Sequence, residues 1–265
     1  MPESYASLAH LAWNVKRPQS EWLNMGDWSH TQSFPEACEA LARRLQEAAQ
    51  IPEQARVLDV GHGCGDSLLM LLQRNTSYVH GVTSLHAHAA RAQARCGSRA
   101  KVHCLDATEY LSQTQHTYDT ILALDCAYHF DDRARFFREA YDALAPGGKL
   151  ALVDLLAAYP YPSQDTVEPS RLPAPRRAPS LWRRFMHSVV CFMSGTQPKS
   201  FVSFETYREQ LSEAKFCTKD IEMHDISADV FPGFANFLQN LNTGEQRAWQ
   251  NLPITQTGRT EEILD

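Results

Sequence analysis

The sequence predicts an α/β fold in which a doubly wound, mainly parallel sheet carries helices on both faces. Short apolar runs rich in Val and Leu alternate with helical segments between residues 55 and 156. Strands that alternate with helices in this way form right-handed crossover units, and these build a parallel sheet. The first apolar run stops abruptly at a glycine-rich stretch, which is typical of a buried strand.

The first helix of this core is expected to begin after Ser33. Ser33 and Glu36 have the spacing of a capping box, and Pro35 is tolerated in the first helical turn. Apolar residues then recur at helical spacing as far as residue 48. An amphipathic helix that leads into a buried strand at residues 55–60 is therefore predicted.

Four more strands follow the first. Helices are predicted at residues 67–72, 86–95 and 132–144, and a short helical or turn segment at residues 110–111. Strands are predicted at residues 78–82, 101–105, 119–124 and 149–156. The turn made by Pro146, Gly147 and Gly148 is expected to end the last of these helices.

The composition changes after residue 158. Six of the fourteen prolines lie within residues 160–179, and residues 171–184 contain five arginines and no acidic residue. Such a stretch does not continue a sheet, and it leads into an apolar helix that is predicted to start at Ser180. The chain then divides into an N-terminal helical cap, a core, a helical insertion after the fifth strand and a C-terminal part, at residues 1–32, 33–157, 158–202 and 203–265.

Composition and charge exclude several classes of protein. The 265 residues are 43% hydrophobic with a formal charge of −6, which suits one large domain and argues against a nucleic-acid binder. No run approaches the roughly 18 apolar residues of a membrane span, and the N-terminus lacks the features of a signal peptide. Seven scattered cysteines without a CxxC pair indicate a reducing compartment and no metal site. A soluble, cytoplasmic protein is expected.

The most informative motif is VLDVGHGCG, residues 57–65. Three glycines, Gly61, Gly63 and Gly65, follow a strand at intervals of two. Glycines there permit positive φ and let a ligand approach the backbone, so an anionic or zwitterionic ligand is expected on this loop. The dinucleotide pattern GxGxxG is not met because Asp66 occupies its sixth position, and the phosphate-loop pattern GxxxxGK is absent.

Five segments in order resemble the motifs of the class I S-adenosylmethionine-dependent methyltransferases, which have a Rossmann-like fold. The segments are VLDVGHGCG (57–65), HGVTS (80–84), LDA (105–107), YDTILALDCAYHF (118–130) and LAPGGKLALVD (144–154). The resemblance is firm over about residues 33–156. It implies that the chain transfers a methyl group from S-adenosylmethionine to a small-molecule acceptor, at carbon, nitrogen, oxygen or sulfur.

Carried over residue by residue, the resemblance implies which side chains meet the methionine part of the cofactor. Gly61 and Gly63 would border it, and Asp59 would support the loop and meet the amino group. Asp125 and Cys126, just past the fourth strand, would line the same side.

The resemblance also implies contacts for the nucleoside. Asp106 would accept a hydrogen bond from the adenine amino group, with the backbone of Ala107 alongside. Most of the family has an acid at the end of the second strand to hold the ribose, whereas this chain has Thr83. A similar threonine occurs in the branch that resembles sterol C-methyltransferases, tocopherol methyltransferases and cyclopropane-fatty-acid synthases. Thr83 and Ser84 are therefore expected to bond the ribose more weakly than an acid would.

The segment WLNMGDW, residues 22–28, resembles the part of that branch that folds over the cofactor. Trp28 is accordingly a candidate contact for the sulfonium end, since an aromatic face attracts a cation. The alternative is that Trp22 and Trp28 are ordinary core aromatics.

Two residues in the fourth motif are candidates for the chemistry. His129 follows the fourth strand, where open α/β sheets place their ligands, and the ordinary pKa of histidine suits a general base. Tyr128 is a candidate substrate or cofactor contact, and both residues have packing roles as the alternative. His62, inside the glycine loop, is expected to point to solvent or to border the cofactor.

The insertion is the candidate substrate lid. Apolar residues of its helix, such as Trp182 and Phe185, would wall a partly hydrophobic acceptor pocket, and residues 171–192 would give peripheral contact with an anionic membrane. A packed helix with solvated arginines is the alternative.

The C-terminal part is predicted to contain a helix at residues 203–214, a sixth strand at residues 220–225 and a helix at residues 231–241. The family pattern has a seventh strand, but residues 242–265 contain no run of strand character. The final strand is therefore expected to be missing or replaced.

Two alternative functions stay open. One is a nicotinamide-dependent oxidoreductase, which Asp66 and Thr83 disfavour. The other is a catalytically silent protein of the same fold that binds the cofactor or a partner.

Overall fold

Five strands form the centre of the computed structural model, which describes residues 8–14, 20–157, 191 and 196–242. The strands are β1 (Arg56–Val60), β2 (Tyr78–Thr83), β3 (Lys101–Cys104), β4 (Tyr118–Leu124) and β5 (Leu144–Val153). They lie side by side in the order β3-β2-β1-β4-β5, and every neighbouring pair is parallel. The predicted parallel sheet is thus confirmed over its first five strands.

Seven α-helices are found in the described residues. They are α1 (Phe34–Ala49), α2 (Asp66–Leu71), α3 (His86–Cys96), α4 (Ala107–Gln113), α5 (Arg133–Ala143), α6 (Phe204–Glu213) and α7 (Ser227–Asn242). Helices cover both faces of the sheet. The predicted helices at residues 203–214 and 231–241 are confirmed as α6 and α7, and Ser203 caps α6 by accepting a hydrogen bond from the Thr206 amide.

Each face of the sheet buries its own apolar cluster. Leu58 and Val60 of β1 pack with Phe136 of α5 and with residues of α4 and α6 on one face. Val57, also in β1, packs with Leu68 and other residues of α1, α2 and α3 on the opposite face. Successive residues of a strand point to opposite faces, so the continuous apolar run of β1 serves both clusters.

The predicted capping box at Ser33 is wrong. The Ser33 hydroxyl makes no capping hydrogen bond. Instead the Ser33 amide donates to the Thr31 hydroxyl, which itself donates to Glu36 at 2.6 Å. The Thr31 hydroxyl therefore bridges Ser33 and Glu36, the two residues that the spacing predicts to bond each other directly.

The turn at Pro146, Gly147 and Gly148 does not separate α5 from β5. Helix α5 ends at Ala143, and β5 begins at Leu144, which pairs with Tyr118. The register then shifts before Lys149 pairs with Thr120, so the predicted turn is an irregularity inside the strand. Gly147 has φ +77°, a conformation in which glycine costs no strain.

The predicted sixth strand at residues 220–225 is wrong, because residues 221–226 have no regular secondary structure. Ile221 and Met223 pack against the apolar cluster beside α6, whereas Glu222 and His224 face solvent. Apolar and polar residues thus alternate along this segment, and the apolar ones are buried by packing without a strand ladder. Residues 243–265, on which the expectation about a final strand depends, lie outside the described residues.

The two ends of the insertion, at residues 157 and 202, lie side by side. The amide of Ala157 donates to the carbonyl of Val202 at 2.9 Å, which joins its two ends. The predicted apolar helix from Ser180 and the membrane contact at residues 171–192 lie outside the described residues, apart from Cys191. Among helices of the described part, none is both long and apolar enough to span a membrane.

Helix α7 packs on the N-terminal segment, with Gly233 of the helix lying directly against Trp28. A Cβ on Gly233 would lie 2.2 Å from the Cβ of Trp28. Alanine in a helix interior normally stabilises by up to about 1 kcal/mol relative to glycine. Here the steric overlap reverses that effect, and Gly233→Ala should lower the free energy of unfolding by about 1 to 3 kcal/mol. Urea denaturation of the two proteins measures the difference.

The matched control is the same substitution in a Trp28→Gly background. Without the Cβ and the indole of Trp28, Gly233→Ala should be neutral or stabilising, because only the helix propensity remains. An equal loss of stability in both backgrounds would show that the overlap with Trp28 is not the cause.

Candidate cofactor and active site

The predicted site residues meet at one edge of the sheet. Val60 is paired with Val82 and with Ala123, and Thr83 is paired with Cys104, so the carboxyl ends of β1 to β4 are level. The segments that follow these ends carry Asp106 after β3, Thr83 and Ser84 at β2, the glycine loop (residues 60–65) after β1, and Asp125 to His129 after β4. Such an edge is where open α/β sheets bind their ligands.

The glycine loop makes a tight turn against β4. Gly61 has φ +70°, and a Cβ there would lie 2.6 Å from the Sγ of Cys126. Gly63 has φ +56°, but a Cβ there would meet no atom within 4 Å. Gly61 therefore makes room for the Cys126 side chain beside the turn, whereas the backbone at Gly63 borders open space.

Asp59 lies just before this loop and supports it. The carboxylate is 1% exposed and accepts a short hydrogen bond from the hydroxyl of Ser67 in α2. Burial raises the pKa of Asp59 to about 7, against the lowering effect of the Ser67 hydrogen bond. This carboxyl group consequently ties the end of β1 to the helix that follows the loop.

A recess lies between the glycine loop and the N-terminal segment. It is open to solvent, and about 320 Å³ of atom-free space lies within it and in front of it. Polar and apolar residues line it together; they are Glu21, Trp22, Leu23, Asn24, Gly61, His62, Gly63, Cys64, Asp66, Ser67 and Leu124. Mixed polar and apolar walls of this kind suit a zwitterionic group on an apolar chain.

Residues 21–28 form a strap that crosses this edge of the sheet. The amide of Met25 donates to a carboxylate oxygen of Asp125 at 2.8 Å. Further along, the amide of Asp27 donates to the carbonyl of Ala37 at 2.8 Å, which fixes the strap to α1. Sequence reasoning found residues 22–28 through the family resemblance but missed Glu21, which has no local signal.

Asp125 is held in an uncommon conformation. Its φ is +54°, which residues other than glycine rarely adopt, and its own amide donates to the carbonyl of Val153 at 2.8 Å. Burial raises the pKa of Asp125 to about 7, while hydrogen bonds from Met25 and Tyr128 oppose the rise. Strained residues of this kind occur most often at functional sites.

His62 does not point to solvent, so that part of the expectation is wrong. The imidazole is 6% exposed, lines the recess and packs on the backbone of Gly81, where a Cβ would lie 2.6 Å from its Cδ2 atom. Burial lowers the pKa of His62 to about 4, so the ring is neutral at pH 7.

Trp28 lies in an aromatic cluster and not among the residues that line the recess. Its ring packs against Phe34 and Phe237, and its Nε1 donates to the carbonyl of Met25 at 2.6 Å. Trp22, which is buried in the same apolar cluster, is among the residues that line the recess. Trp28 is thus half-buried in this cluster, and its contact with the sulfonium end stays a prediction.

The residues predicted for the nucleoside lie on the side of β2 and β3. Thr83 is buried, and Ser84 is exposed beside it. Asp106 caps α4, since its Oδ1 accepts hydrogen bonds from the amides of Thr108 and Glu109 at 2.8 and 3.0 Å. Ala107 begins that helix and is buried. Their roles toward a nucleoside stay predictions.

The candidate catalytic residues occupy a 3₁₀ turn, Ala127–His129. The rings of Tyr128 and His129 lie 4.3 Å apart, and Tyr128 stacks on Phe201 at 6.1 Å. Burial lowers the pKa of His129 to about 4, which keeps the imidazole neutral and able to accept a proton at pH 7.

A buried ion pair lies behind this turn. Arg133, 5% exposed, donates to Asp154 at 3.3 Å and to the carbonyl of Ser200 at 2.8 Å. Its guanidinium also stacks 4.6 Å from the centre of the Tyr207 ring. Arg133 thus joins the end of β5 to the chain that returns from the insertion, a role with no sequence signal.

The sequence of this chain is similar to those of known methyltransferases. A family model described as a methyltransferase domain matches residues 29–202. The chain belongs to this methyltransferase family. It is 30% identical over 246 residues to erythromycin 3''-O-methyltransferase of Saccharopolyspora erythraea, which covers 89% of this chain and 75% of that one. It is 26% identical to 27-O-demethylrifamycin SV methyltransferase of Amycolatopsis mediterranei, over 96% of this chain and 85% of the other.

Solved structures show the same fold. The cyclopropane synthase MmaA2 of Mycobacterium tuberculosis superposes with a TM-score of 0.66 at 17% identity, over 94% of this chain and 85% of that one. The 4+2 cyclase SpnF gives 0.65 at 21% identity, over 93% and 83%. Geranyl diphosphate C-methyltransferase of Streptomyces coelicolor A3(2) gives 0.64 at 16%, over 92% and 91%. At these identities the likeness concerns the fold alone.

The chain is therefore an S-adenosylmethionine-dependent methyltransferase with a Rossmann-like fold, and the relatives named above act on small molecules. The open side of Gly63 and the recess beside it fit a cofactor with a zwitterionic end. The alternatives of a nicotinamide oxidoreductase and of a silent binding protein are set aside, because the relatives are methyltransferases.

The raised pKa of Asp59 predicts how stability depends on pH. Its pKa is about 7 in the folded chain and ordinarily 3.8, so between these values only the folded chain holds the proton. The Asp59 contribution to the free energy of unfolding therefore rises as the pH falls from 8 to 5. Asp59→Asn should remove this contribution, a change of up to about 1.4 kcal/mol per pH unit. Denaturant titrations of ligand-free protein at several pH values measure it.

Asp119→Asn is the control for this experiment. The ion pair with Arg56 lowers the pKa of Asp119 below its ordinary 3.8, so Asp119 is ionised at both pH 8 and pH 5. Asp119→Asn should therefore change the free energy of unfolding by the same amount at the two pH values. A pH slope in Asp59→Asn identical to that of the wild type would show that Asp59 is already ionised at pH 5.

Proposed function

We propose that this methyltransferase methylates a hydroxyl oxygen of a small, partly apolar acceptor, with His129 as the general base. The observation that carries the proposal is a half-buried, neutral imidazole just past the carboxyl end of β4. The two relatives described above, named for O-methylation of erythromycin and for methylation of 27-O-demethylrifamycin SV, support an oxygen acceptor.

The cofactor would lie across the carboxyl edge of the sheet. Its amino-acid end would occupy the recess under the strap, where Glu21 and Asp66 offer carboxylates to an ammonium group. Its nucleoside would extend over β2 and β3 toward Thr83 and Asp106. When bound there, S-adenosylmethionine supplies an electrophilic methyl group.

The chain's own residues would then position and activate the acceptor. An alcohol becomes a good nucleophile only as it loses its proton, so a base within reach of the hydroxyl is needed. The neutral His129 ring can take that proton, and the Tyr128 ring beside it would hold the acceptor near the methyl group. Much of the remaining acceleration comes from orientation of the two reactants.

The acceptor side of the site is aromatic, which favours an apolar acceptor body. Tyr128 stacks on Phe201, and Phe130 contacts Phe136 with ring centres 4.8 Å apart. Aromatic walls with a few polar groups are typical of pockets for drug-sized ligands. The apolar helix of the insertion stays a predicted further wall.

The test is methyl transfer from radiolabelled S-adenosylmethionine to 27-O-demethylrifamycin SV, erythromycin with a free 3''-hydroxyl, and matched amines and thiols. His129→Gln should lower kcat about 10² to 10⁴-fold while the KM for S-adenosylmethionine changes less than about twofold. His116→Gln, at an exposed position, is the control and should keep full activity. Full kcat in His129→Gln, or labelled amines alone, would contradict the proposal.

The pH profile gives a second readout of the base. A histidine base with its pKa lowered to about 4 stays unprotonated well below pH 6.5. The kcat should therefore remain level from pH 8 to about pH 5 and fall only as the pH approaches 4. A fall centred near pH 6.5 would indicate a histidine base in an ordinary, solvated environment.

Peripheral membrane contact through residues 171–192 is a separate proposal, supported by the arginines and apolar residues of that stretch. Binding to vesicles of anionic lipid should weaken sharply as salt is raised, because exposed charges are screened. Replacing Arg183 and Arg184 by Gln should weaken it too. Absent or salt-independent binding would contradict this contact.

A further inference from the structure

Four charged side chains join the strap to the glycine loop and to α3. We call them the strap quartet: Glu21 on the strap, Asp66 at the start of α2, and Arg91 and Arg95 on α3. The carboxylates of Glu21 and Asp66 are each 9% exposed, and both line the recess. Carboxylates that are this buried depend strongly on their cationic partners.

Arg95 holds the glycine loop. Its two terminal nitrogens each donate to a carboxylate oxygen of Asp66 at 2.7 Å, in a two-pronged pair. One of these nitrogens also donates to the carbonyl of Cys64 at 2.8 Å. Arg95 is only 19% exposed, so water and salt have little access to this half of the quartet. It is a fixed anchor for the loop.

Arg91 holds the strap. Its Nη2 donates to Oε1 of Glu21 at 2.7 Å and its Nε donates to Oε2, again as a fork. Arg91 is 39% exposed, about twice as exposed as Arg95. The pair therefore meets solvent, and ions compete for it more readily than for the Arg95 anchor.

The two ends of the strap are held differently. The Asp27 end is fixed by backbone hydrogen bonds, from Asp27 to Ala37 in α1 and from Trp28 to Asp229 in α7, each at 2.8 Å. The Glu21 end is held through side chains. Within the quartet the Glu21 amide donates to Asp66 at 3.1 Å, and the Glu21 carboxylate lies 3.6 Å from Arg95 as well as against Arg91. The side chain of Asn14 bonds the amide and the carbonyl of Trp22 at 3.0 and 3.1 Å, and Asn24 bonds Cys38 of α1. Residues 21–24, which cover the recess, lie at that end.

We propose that the Glu21–Arg91 ion pair is a releasable latch: its opening lifts residues 21–24 off the recess and lets cofactor and demethylated product exchange. Arg95 and Asp66 meanwhile keep the glycine loop in place. The inference rests on the proposed function in placing the amino-acid end of the cofactor in this recess. Glu21 and Arg91 act as positioning residues, because they set when the recess is open.

The test measures association and dissociation rates of S-adenosylhomocysteine by stopped flow. Arg91→Gln should raise both rates about tenfold and leave Kd within about threefold, since a latch changes access more than affinity. Raising NaCl from about 0.05 to 0.5 M should speed exchange in the wild type and have little effect on Arg91→Gln.

Matched variants separate the latch from general charge effects. Arg99→Gln, which removes an exposed arginine just beyond α3, should leave both rates unchanged. Arg91→Lys keeps the charge but not the fork and should give intermediate rates. Glu21→Gln should also speed exchange, but it should raise the Kd as well, because Glu21 is proposed to meet the cofactor's ammonium group and also lies 3.6 Å from Arg95. Adding Arg91→Gln to Glu21→Gln should speed exchange no further, because the Glu21–Arg91 pair is already broken.

Hydrogen exchange of the amides of residues 21–24 in ligand-free protein reports on the strap itself. It should be faster in Arg91→Gln than in Arg99→Gln. Unchanged amide exchange in Arg91→Gln would overturn the latch, as would a rise in dissociation rate alone with a parallel rise in Kd. A strap that loosens in a protein that binds no S-adenosylhomocysteine would support the latch and contradict the proposed function, so the two failures are distinguishable.

Discussion

The turn after β1 runs so close to β4 that only a hydrogen atom fits on the Cα of Gly61, since a Cβ would lie 2.6 Å from the Sγ of Cys126. This contact fixes the path of the whole glycine loop. It leaves the open side of Gly63 facing the recess and brings Asp66 within reach of Arg95. The recess, the quartet and the strap lie around this loop, in which Gly61 packs against the side chain of Cys126.

Burial governs the charge states around the site. Helices cover both faces of the sheet, so carboxyl groups at the strand ends are removed from water. The pKa values of Asp59 and Asp125 rise to about 7 for this reason, and that of His129 falls to about 4. Where arginine forks are present, as at Glu21 and Asp66, pairing offsets the cost of burying the charge. The site thus combines neutral groups that can exchange protons with paired ions that hold the backbone.

The elements between residues 55 and 156 could be predicted because their patterns are local. A buried strand is recognised by a short apolar run, and an amphipathic helix by apolar residues that recur every three to four positions; neither pattern depends on the rest of the fold. The errors arose where a local pattern had more than one solution. The alternation at residues 220–225 is satisfied by packing of Ile221 and Met223, and the Ser33–Glu36 spacing is bridged by Thr31. The Pro146–Gly148 turn was absorbed into β5.

The sequence by itself determined the α/β class, the order of the motifs, the family resemblance and the position of Asp59, Thr83, Asp106 and Asp125 at or just past strand ends. Only the tertiary structure decided that His62 is buried, that Trp22 and not Trp28 lines the recess, and that Glu21 meets Arg91. The reason is physical: the partners in these contacts lie far apart along the chain, as Met25 and Asp125 do at 100 residues. Such pairs leave no periodic trace in the sequence, because they form only once the helices have packed on the sheet.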